Sequence, residues 1–224
     1  MQSFALLNAE PVQASMESVF DLIQSGGPLM IPIGICSIIA LAFATERWVR
    51  LRSGYLGTTS FAKSVVSAVQ DEGVDSALKL CEKKKSPLAR ILATGLRRAQ
   101  VPFIEREKAV EDAASIEVRR LGANLRPLLL VWLIAPLLGL LGTVWGMIEA
   151  FSNIALQEGL GRPELLAAGI YQALTTTAAG LAVAIPAIVA YHYLKGCIER
   201  FARRTEEVYR ELDDSLTKTT AAAA

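Results

Sequence analysis

The stretch from Pro127 to Ile148, PLLLVWLIAPLLGLLGTVWGMI, contains no Asp, Glu, Lys or Arg. A second uncharged stretch, from Leu165 to Leu194, reads LLAAGIYQALTTTAAGLAVAIPAIVAYHYL. A helix needs about 20 apolar residues to cross the hydrocarbon core of a bilayer, and each stretch is long enough. Both stretches therefore predict membrane-spanning helices, and the rest of the chain is arranged around them.

These two stretches are not made only of large, lipid-facing side chains. The first has a stripe of small residues at helical spacing, namely Gly139, Gly142, Thr143 and Gly146. The second holds polar residues well inside its apolar run, namely Gln172, Thr175, Thr176 and Thr177. Small residues let helices approach closely, and polar side chains at membrane depth need partners other than lipid. We expect the two helices to pack on each other or on neighbours and to line something polar. The alternative is that the hydroxyls only bond back to carbonyls of their own helix.

The composition argues against several classes of protein. Of 224 residues, 52% are hydrophobic and the formal net charge is only +1, which does not suit a nucleic-acid-binding protein. The three cysteines, Cys36, Cys81 and Cys197, lack metal-ligand spacing, and the chain has a single histidine, His192. We expect no metal, no cofactor and no enzymatic activity, because the sequence holds no catalytic constellation.

The N-terminal part of the chain has acidic but no basic residues before Arg47. Residues 1–27 are expected to carry one short helix that begins near Ser15. This helix either lies on the membrane surface or packs as an ordinary helix ahead of the first span. Residues 28–46 form that span, and the arginines and Trp48 beyond its end are typical of a membrane interface.

Residues 47–126 are predicted to be a helical domain. Helices are predicted at residues 58–70, at 75–84, from Ser86-Pro87 onward and from Phe103 onward. We expect the last of these to continue without a stop into the second span, bent at a proline, as one helix of more than about 40 residues. The whole pattern predicts an all-α, polytopic membrane protein with three transmembrane helices, whose long helices extend into a helical cytoplasmic domain.

Lysine and arginine are unevenly distributed. Residues 1–46 have none, residues 47–126 have 16, residues 127–194 have only Arg162, and residues 195–224 have six. The positive-inside rule therefore predicts that the two basic segments are cytoplasmic and the N-terminus periplasmic. The remaining segments follow from this orientation: span 127–150, periplasmic loop 151–164, span 165–194, and a cytoplasmic helix and tail at 195–224.

The motifs GLLGTVWGMIEAF and ALTTTAAGLAVAIPAIVAY resemble the paired second and third spans of the ExbB/TolQ/MotA family of ion-driven motor subunits. The resemblance is nearest to the ExbB/TolQ branch and covers nearly the whole chain. It implies a pentamer in the inner membrane, whose central pore holds the single spans of two ExbD/TolR-type partner chains. Proton flow past an aspartate of the partner is thought to turn the partner and deliver work across the periplasm.

The resemblance also assigns roles to particular residues. The family's pore threonines fall on Thr143 and Thr177, and Gln172 and Thr176 are further candidates for the ion pathway. Gln172 stands where ExbB and TolQ chains often carry a Glu, and a neutral amide cannot hold or release a proton. Six residues match the family pattern or the small-residue stripe as helix-packing positions, namely Gly139, Gly142, Trp145, Gly146, Gly180 and Pro186.

Two functions are compatible with these features. The first is a proton-driven motor subunit with an ExbD/TolR-type partner, a TonB-like or other periplasm-spanning protein as a further partner, and Na⁺ as an alternative coupling ion. The second is a non-conducting oligomeric scaffold that recruits cytoplasmic partners. The absence of a carboxylate inside the spans favours the scaffold, and the hydroxyls at depth and the family motifs favour the motor.

Overall fold

The computed structural model describes residues 26–51, 56–156 and 163–223, so the helix predicted near Ser15 lies outside the described part of the chain. Over these ranges the chain forms seven α-helices and no strand, which confirms the all-α class. The helices are α1 (Met30–Arg50), α2 (Thr59–Asp71), α3 (Val74–Lys83), α4 (Pro87–Arg97), α5 (Phe103–Ala123), α6 (Arg126–Leu156) and α7 (Pro163–Ala223).

Three of the described helices, α1, α6 and α7, are long and apolar enough to cross a membrane, as the sequence predicted. Their apolar faces are open in the single chain: Leu133 of α6 is 53% exposed and Ile185 of α7 is 60% exposed. In water such faces would be unfavourable, whereas lipid tails or neighbouring helices cover them without cost.

The chain divides into two compact units, and α1, α6 and α7 each contribute to both. Of the described residues, the first unit contains 26–38, 131–156 and 163–185. The second contains 39–51, 56–130 and 186–223. The first unit therefore holds most of the apolar length of α6 and α7, and the second holds the charged helices.

Helix α4 is the centre of the second unit. Ser86 caps its first turn by accepting a hydrogen bond from the Ala89 amide at 3.2 Å, and Pro87 follows at the position where a missing N–H costs nothing. One face of α4 consists of large apolar side chains that are each at most 2% exposed, namely Leu88, Ile91, Leu92 and Leu96. Pro87 and Ala89, which lie off that face, are buried as well, so α4 packs on nearly all sides.

Ion pairs join the charged helices of the second unit. Arg90 of α4 donates two hydrogen bonds to the carboxylate of Glu117 in α5, at 2.9 and 2.6 Å. Arg106 of α5 donates from Nε and Nη2 to one oxygen of Asp213 in α7, at 2.9 and 2.5 Å. Arg106 also donates to the Ala99 carbonyl at 3.0 Å, so a single guanidinium fixes the α4–α5 connection against α7.

The prediction of one uninterrupted helix from Phe103 into the second span is wrong. Helix α5 ends at Ala123 and α6 begins at Arg126, with a turn between them in which the Leu125 amide bonds the Gly122 carbonyl at 3.0 Å. Pro127 explains the break, because in a continuous helix it would have no N–H to bond the Ala123 carbonyl four residues earlier and its ring would clash with that carbonyl. Pro136, by contrast, lies inside α6 without ending it.

Candidate functional site

Glycines bring α6 and α7 into close contact in the first unit. A methyl group built on Gly142 would lie 2.3 Å from Thr176 Oγ1, and one on Gly139 would lie 3.0 Å from the Thr176 carbonyl oxygen. A methyl group on Gly180 would lie 2.5 Å from the carbonyl oxygen of Ala135. The distances at Gly142 and Gly180 are shorter than real Cβ atoms show, and the distance at Gly139 is tighter than most real contacts. The absence of a Cβ at these positions therefore allows the two helices to approach this closely.

The contact continues towards the other end of the helix pair, which is antiparallel. A methyl group on Gly146 would lie 3.1 Å from the Ala173 Cβ, and one on Gly169 would lie 2.5 Å from the Ala150 Cβ. Gly169, Ala173 and Ala150 were not among the packing residues proposed from the sequence. Their signal was nevertheless present, since Gly169, Ala173, Thr176 and Gly180 repeat at three- and four-residue spacing on one face of α7.

Two hydroxyl groups meet across this contact. Thr143 Oγ1 of α6 and Thr177 Oγ1 of α7 are 2.9 Å apart, and Thr177 Oγ1 is also 3.0 Å from the Gly139 carbonyl oxygen. Thr143 Oγ1 lies 3.0 Å from the Leu140 carbonyl oxygen of its own helix. Thr143 therefore contacts both its own helix and the neighbouring helix. The two alternatives considered for the threonines, a polar contact between helices and a hydrogen bond within one helix, occur together at this residue. Both side chains are half-buried rather than enclosed.

The other two candidates for the ion pathway lie elsewhere. Thr176 is 1% exposed, sits under Gly142, and donates its hydroxyl hydrogen to the Ala173 carbonyl of its own helix at 2.7 Å. Gln172 is half-buried, and its Nε2 would be 2.3 Å from a methyl group on Gly27. Gly27 has φ of +72°, a conformation that favours glycine, so the Gln172 amide packs on the turn that precedes α1.

Two further residues of the motifs are exposed in the single chain. Trp145, on α6, is 56% exposed, and Pro186 is exposed within α7, where it belongs to the second unit. Beside Thr143, an open apolar groove of about 710 Å³ runs along α6, lined by Val144, Met147, Ile148, Phe151, Ser152 and Ala155. Thr143 therefore lies at the edge of an apolar surface that the single chain leaves uncovered. The described residues contain no cluster of three or more metal-ligating side chains.

An antiparallel pair of apolar helices, closed by glycines and joined by hydroxyls inside uncharged spans, defines a helical membrane protein with a polar contact at membrane depth. Residues 83–207 match the MotA/TolQ/ExbB proton channel family. The match covers more than half of the chain, and the protein belongs to this family. Its members are transport-associated channel subunits.

Individual relatives come from both the ExbB and the TolQ branch. The chain is 31% identical over 194 residues to the biopolymer transport protein exbB1 of Vibrio cholerae, and 85% of each chain is covered. It is 34% identical over 185 residues to the putative biopolymer transport protein ExbB-like 1 of Synechocystis sp., which covers 79% of this chain and 70% of the relative. It is 38% identical over 99 residues to the Tol-Pal system protein TolQ of Pseudomonas aeruginosa, and this match covers 44% of this chain and 39% of the relative. These relatives and the apolar helices support an inner-membrane protein of an ExbB/TolQ-type system.

Proposed function

We propose that this chain is an ExbB/TolQ-like subunit of a proton-driven motor in the bacterial inner membrane. Five copies form a ring, and the central pore of the ring takes the single spans of two ExbD/TolR-type partner chains. Proton flow through the pore moves the partner spans. A TonB-like or other periplasm-spanning protein then transmits mechanical work to outer-membrane transport or envelope maintenance. The family match and the ExbB relatives support this assignment.

The observation that carries the proposal is the Thr143–Thr177 pair, with its oxygens 2.9 Å apart. Each hydroxyl has one hydrogen to donate and two lone pairs to accept with. When Thr177 donates to the Gly139 carbonyl, Thr143 donates to Thr177, and every hydrogen is used. A lone pair on Thr143 then remains available at the half-buried edge of the helix pair. Such an acceptor at membrane depth suits a water molecule or a protonated partner group.

We infer that the proton carrier comes from outside this chain, since the single histidine, His192, lies at the far end of the second stretch. The spans at Pro127–Ile148 and Leu165–Leu194 contain no Asp, Glu, Lys or Arg, and Gln172 does not titrate. A carboxyl group on a partner span would supply the titrating group, and the threonine pair would hydrogen-bond to it or to its water. The Lys and Arg distribution supports a cytoplasmic location for residues 47–126 and for the C-terminal part of α7.

Proton flux into liposomes tests this function. The protein is co-reconstituted with an ExbD/TolR-type partner, a membrane potential is imposed, and an internal pH dye is followed. Thr143→Val and Thr177→Val keep the side-chain volume but remove the hydroxyls, so we expect flux to fall at least about tenfold, equivalent to about 1.4 kcal/mol. The matched controls Thr143→Ser and Thr177→Ser keep the hydroxyls and should retain flux.

Native mass spectrometry of the same preparations separates conduction from assembly. We expect the valine variants to keep the oligomer and its partner chains. Full flux in both valine variants would refute a role for the threonine pair. An oligomer that assembles with its partner but passes no ions in the wild type would instead support the scaffold, the alternative that the uncharged spans favour.

A further inference from the structure

The second unit has a long groove between α5 and the C-terminal part of α7. Its volume is about 900 Å³, and it extends from Phe103 to Val118 along α5 and from Phe201 to Asp214 along α7. Each of these lengths corresponds to about four helical turns. The floor is apolar and consists of Ile91, Val110, Ala114, Val118, Phe201 and Ala202. An elongated apolar floor between two helices has the shape that accepts a third helix.

The rim of this groove is acidic. Two of its acidic residues are already paired, Asp213 with Arg106 and Glu206 with Arg210 at 2.7 Å. The other three, Glu107, Glu111 and Asp214, take part in none of the ion pairs found in the described part of the chain. The groove, which we call the acidic groove, therefore combines an apolar floor with an excess of negative charge at its edges.

Helix α3 has the complementary surface. Lys79 and Lys83 lie one turn apart and are exposed, and Leu80 between them is 40% exposed. Lys85 lies two residues after the end of the helix and is also exposed. Within residues 26–51, 56–156 and 163–223, none of these three lysines forms an ion pair. We call Lys79, Leu80, Lys83 and Lys85 the basic face.

We propose that the acidic groove of one copy receives the basic face of a neighbouring copy of this chain. This inference rests on the homo-oligomer of the proposed function. Leu80 would lie on the apolar floor and the lysines against the acidic rim, as in other complexes of an amphipathic helix with a groove. The groove and the basic face belong to different helices of one unit. A contact between the groove of one copy and the basic face of the next copy is head-to-tail. When such contacts close into a ring, every groove and every basic face is occupied.

Charge complementarity decides between the possible occupants. In the proposed contact, three carboxylates and three lysines that form no ion pair in the described ranges would face each other, with Leu80 on the apolar floor between them. Opposite charges at the rim of an interface mainly speed association and fix the register. Because both surfaces occur on the same chain, a second copy fits the groove without a further component.

Cross-linking between two differently tagged copies tests the contact. In a background with Cys36→Ser, Cys81→Ala and Cys197→Ser, one copy carries Leu80→Cys and the other carries Ala114→Cys in the groove floor. Both are co-expressed with the partner and treated with a mild oxidant. We expect a cross-linked product that contains both tags, since a disulfide requires Cα atoms within about 7 Å. Ile116→Cys, which is 45% exposed but does not line the groove, is the matched control and should not react with Leu80→Cys.

Charge reversal provides a second readout. Glu107→Lys with Glu111→Lys in the groove copy should reduce cross-linking at least about tenfold, which corresponds to about 1.4 kcal/mol. Lys79→Glu with Lys83→Glu in the opposite copy should restore it. An intact oligomer without cross-links at Ala114 or at the adjacent Ser115→Cys would overturn this inference and leave the proposed function in place. Cross-linking of the groove to the partner chain instead of a second copy would also overturn it. Absence of an oligomer in the wild-type chain would count against the proposed function itself.

Discussion

At the scale of single residues, the hydroxyls of Thr143 and Thr177 can be satisfied in either direction. Thr143 can donate to Thr177, which then donates to the Gly139 carbonyl at 3.0 Å. Thr177 can equally donate to Thr143, which then donates to the Leu140 carbonyl at 3.0 Å. Because each direction leaves no hydroxyl hydrogen unused, the pair can reverse its polarity without losing a hydrogen bond. A hydroxyl pair whose hydrogen bonds can reverse direction suits a site where a neighbouring group changes its charge.

Glu117 predicts how the stability of the folded protein depends on pH. It lies in the charged helix α5, outside the apolar spans, and its pKa is lowered from 4.5, chiefly because Arg90 donates hydrogen bonds to the carboxylate. A lowered pKa in the folded state means that the stabilisation is complete above pH 4.5 and is lost as the pH falls through the lowered pKa. The Glu117 side chain is only 8% exposed, whereas that of Arg90 is 46% exposed. We therefore expect the Arg90–Glu117 pair to contribute about 1 kcal/mol to the free energy of unfolding at neutral pH.

Thermal unfolding of the detergent-solubilised protein between pH 7 and pH 3 measures this contribution. Glu117→Gln should lower the midpoint at pH 7 and have a progressively smaller effect as the pH falls below 4.5. Asp112→Asn removes an exposed acid from the middle of the same helix, is the control and should leave the profile nearly unchanged. A difference between wild type and Glu117→Gln that stays constant over the whole range would contradict the assigned role of Arg90.

At the scale of elements, the contact between α6 and α7 predicts a graded series of glycine substitutions. Gly180→Ala directs a methyl group at a backbone oxygen 2.5 Å away, which cannot move alone, so we expect a loss of about 1–3 kcal/mol. Gly146→Ala meets the Ala173 Cβ at 3.1 Å, and the gain of about 0.5–1 kcal/mol from alanine in a helix should offset most of the strain. Gly196→Ala meets no described atom within 4 Å and should not destabilise.

Unfolding midpoints and size-exclusion profiles of these variants provide the measurement. Equal midpoints for Gly180→Ala and Gly196→Ala would show that α6 and α7 do not approach closely. Gly142→Leu belongs to the severe end of the series. Because Gly142 faces Thr176 of its own chain, this substitution should disturb the helix pair inside each copy before it affects contacts between copies.

The same elements show how far sequence reasoning reached. The three spans, the start of α4 at Ser86-Pro87 and the approach of Gly142 to α7 follow from local composition and helical spacing. The break before Arg126 was missed because the continuous run of helix-forming residues outweighed the effect of Pro127 on the Ala123 carbonyl four residues earlier. The contact of Gln172 with Gly27 joins residues far apart in the sequence, and no local pattern signals such a pairing.

At the scale of the whole molecule, charge and apolar surface are separated. The first unit carries the uncharged lengths of α6 and α7, and the second carries the ion pairs, the acidic groove and the basic face. Within the second unit the buried Arg106–Asp213 pair connects residues 107 positions apart, so the helical domain depends on the charged part of α7 for its fold. Removal of one partner from a buried ion pair lowers the stability more than removal of both, because it leaves a buried charge without a partner. Under the proposed function ion passage belongs to the first unit, and under the further inference the contacts between copies belong to the second.

The distribution of Lys and Arg predicts the orientation of the chain in the membrane. In the cysteine-free background, Ser152→Cys at the end of α6 and Ser67→Cys on α2 each place one exposed thiol in a different predicted compartment. We expect a membrane-impermeant maleimide added to intact cells to label Ser152→Cys, and to label Ser67→Cys only after the inner membrane is opened. The reason is the concentration of Lys and Arg in residues 47–126, which resist translocation. Labelling of both thiols after permeabilisation is the control for reactivity. Labelling of Ser67→Cys but not Ser152→Cys in intact cells would reverse the orientation, and the acidic groove and the basic face would then lie in the periplasm.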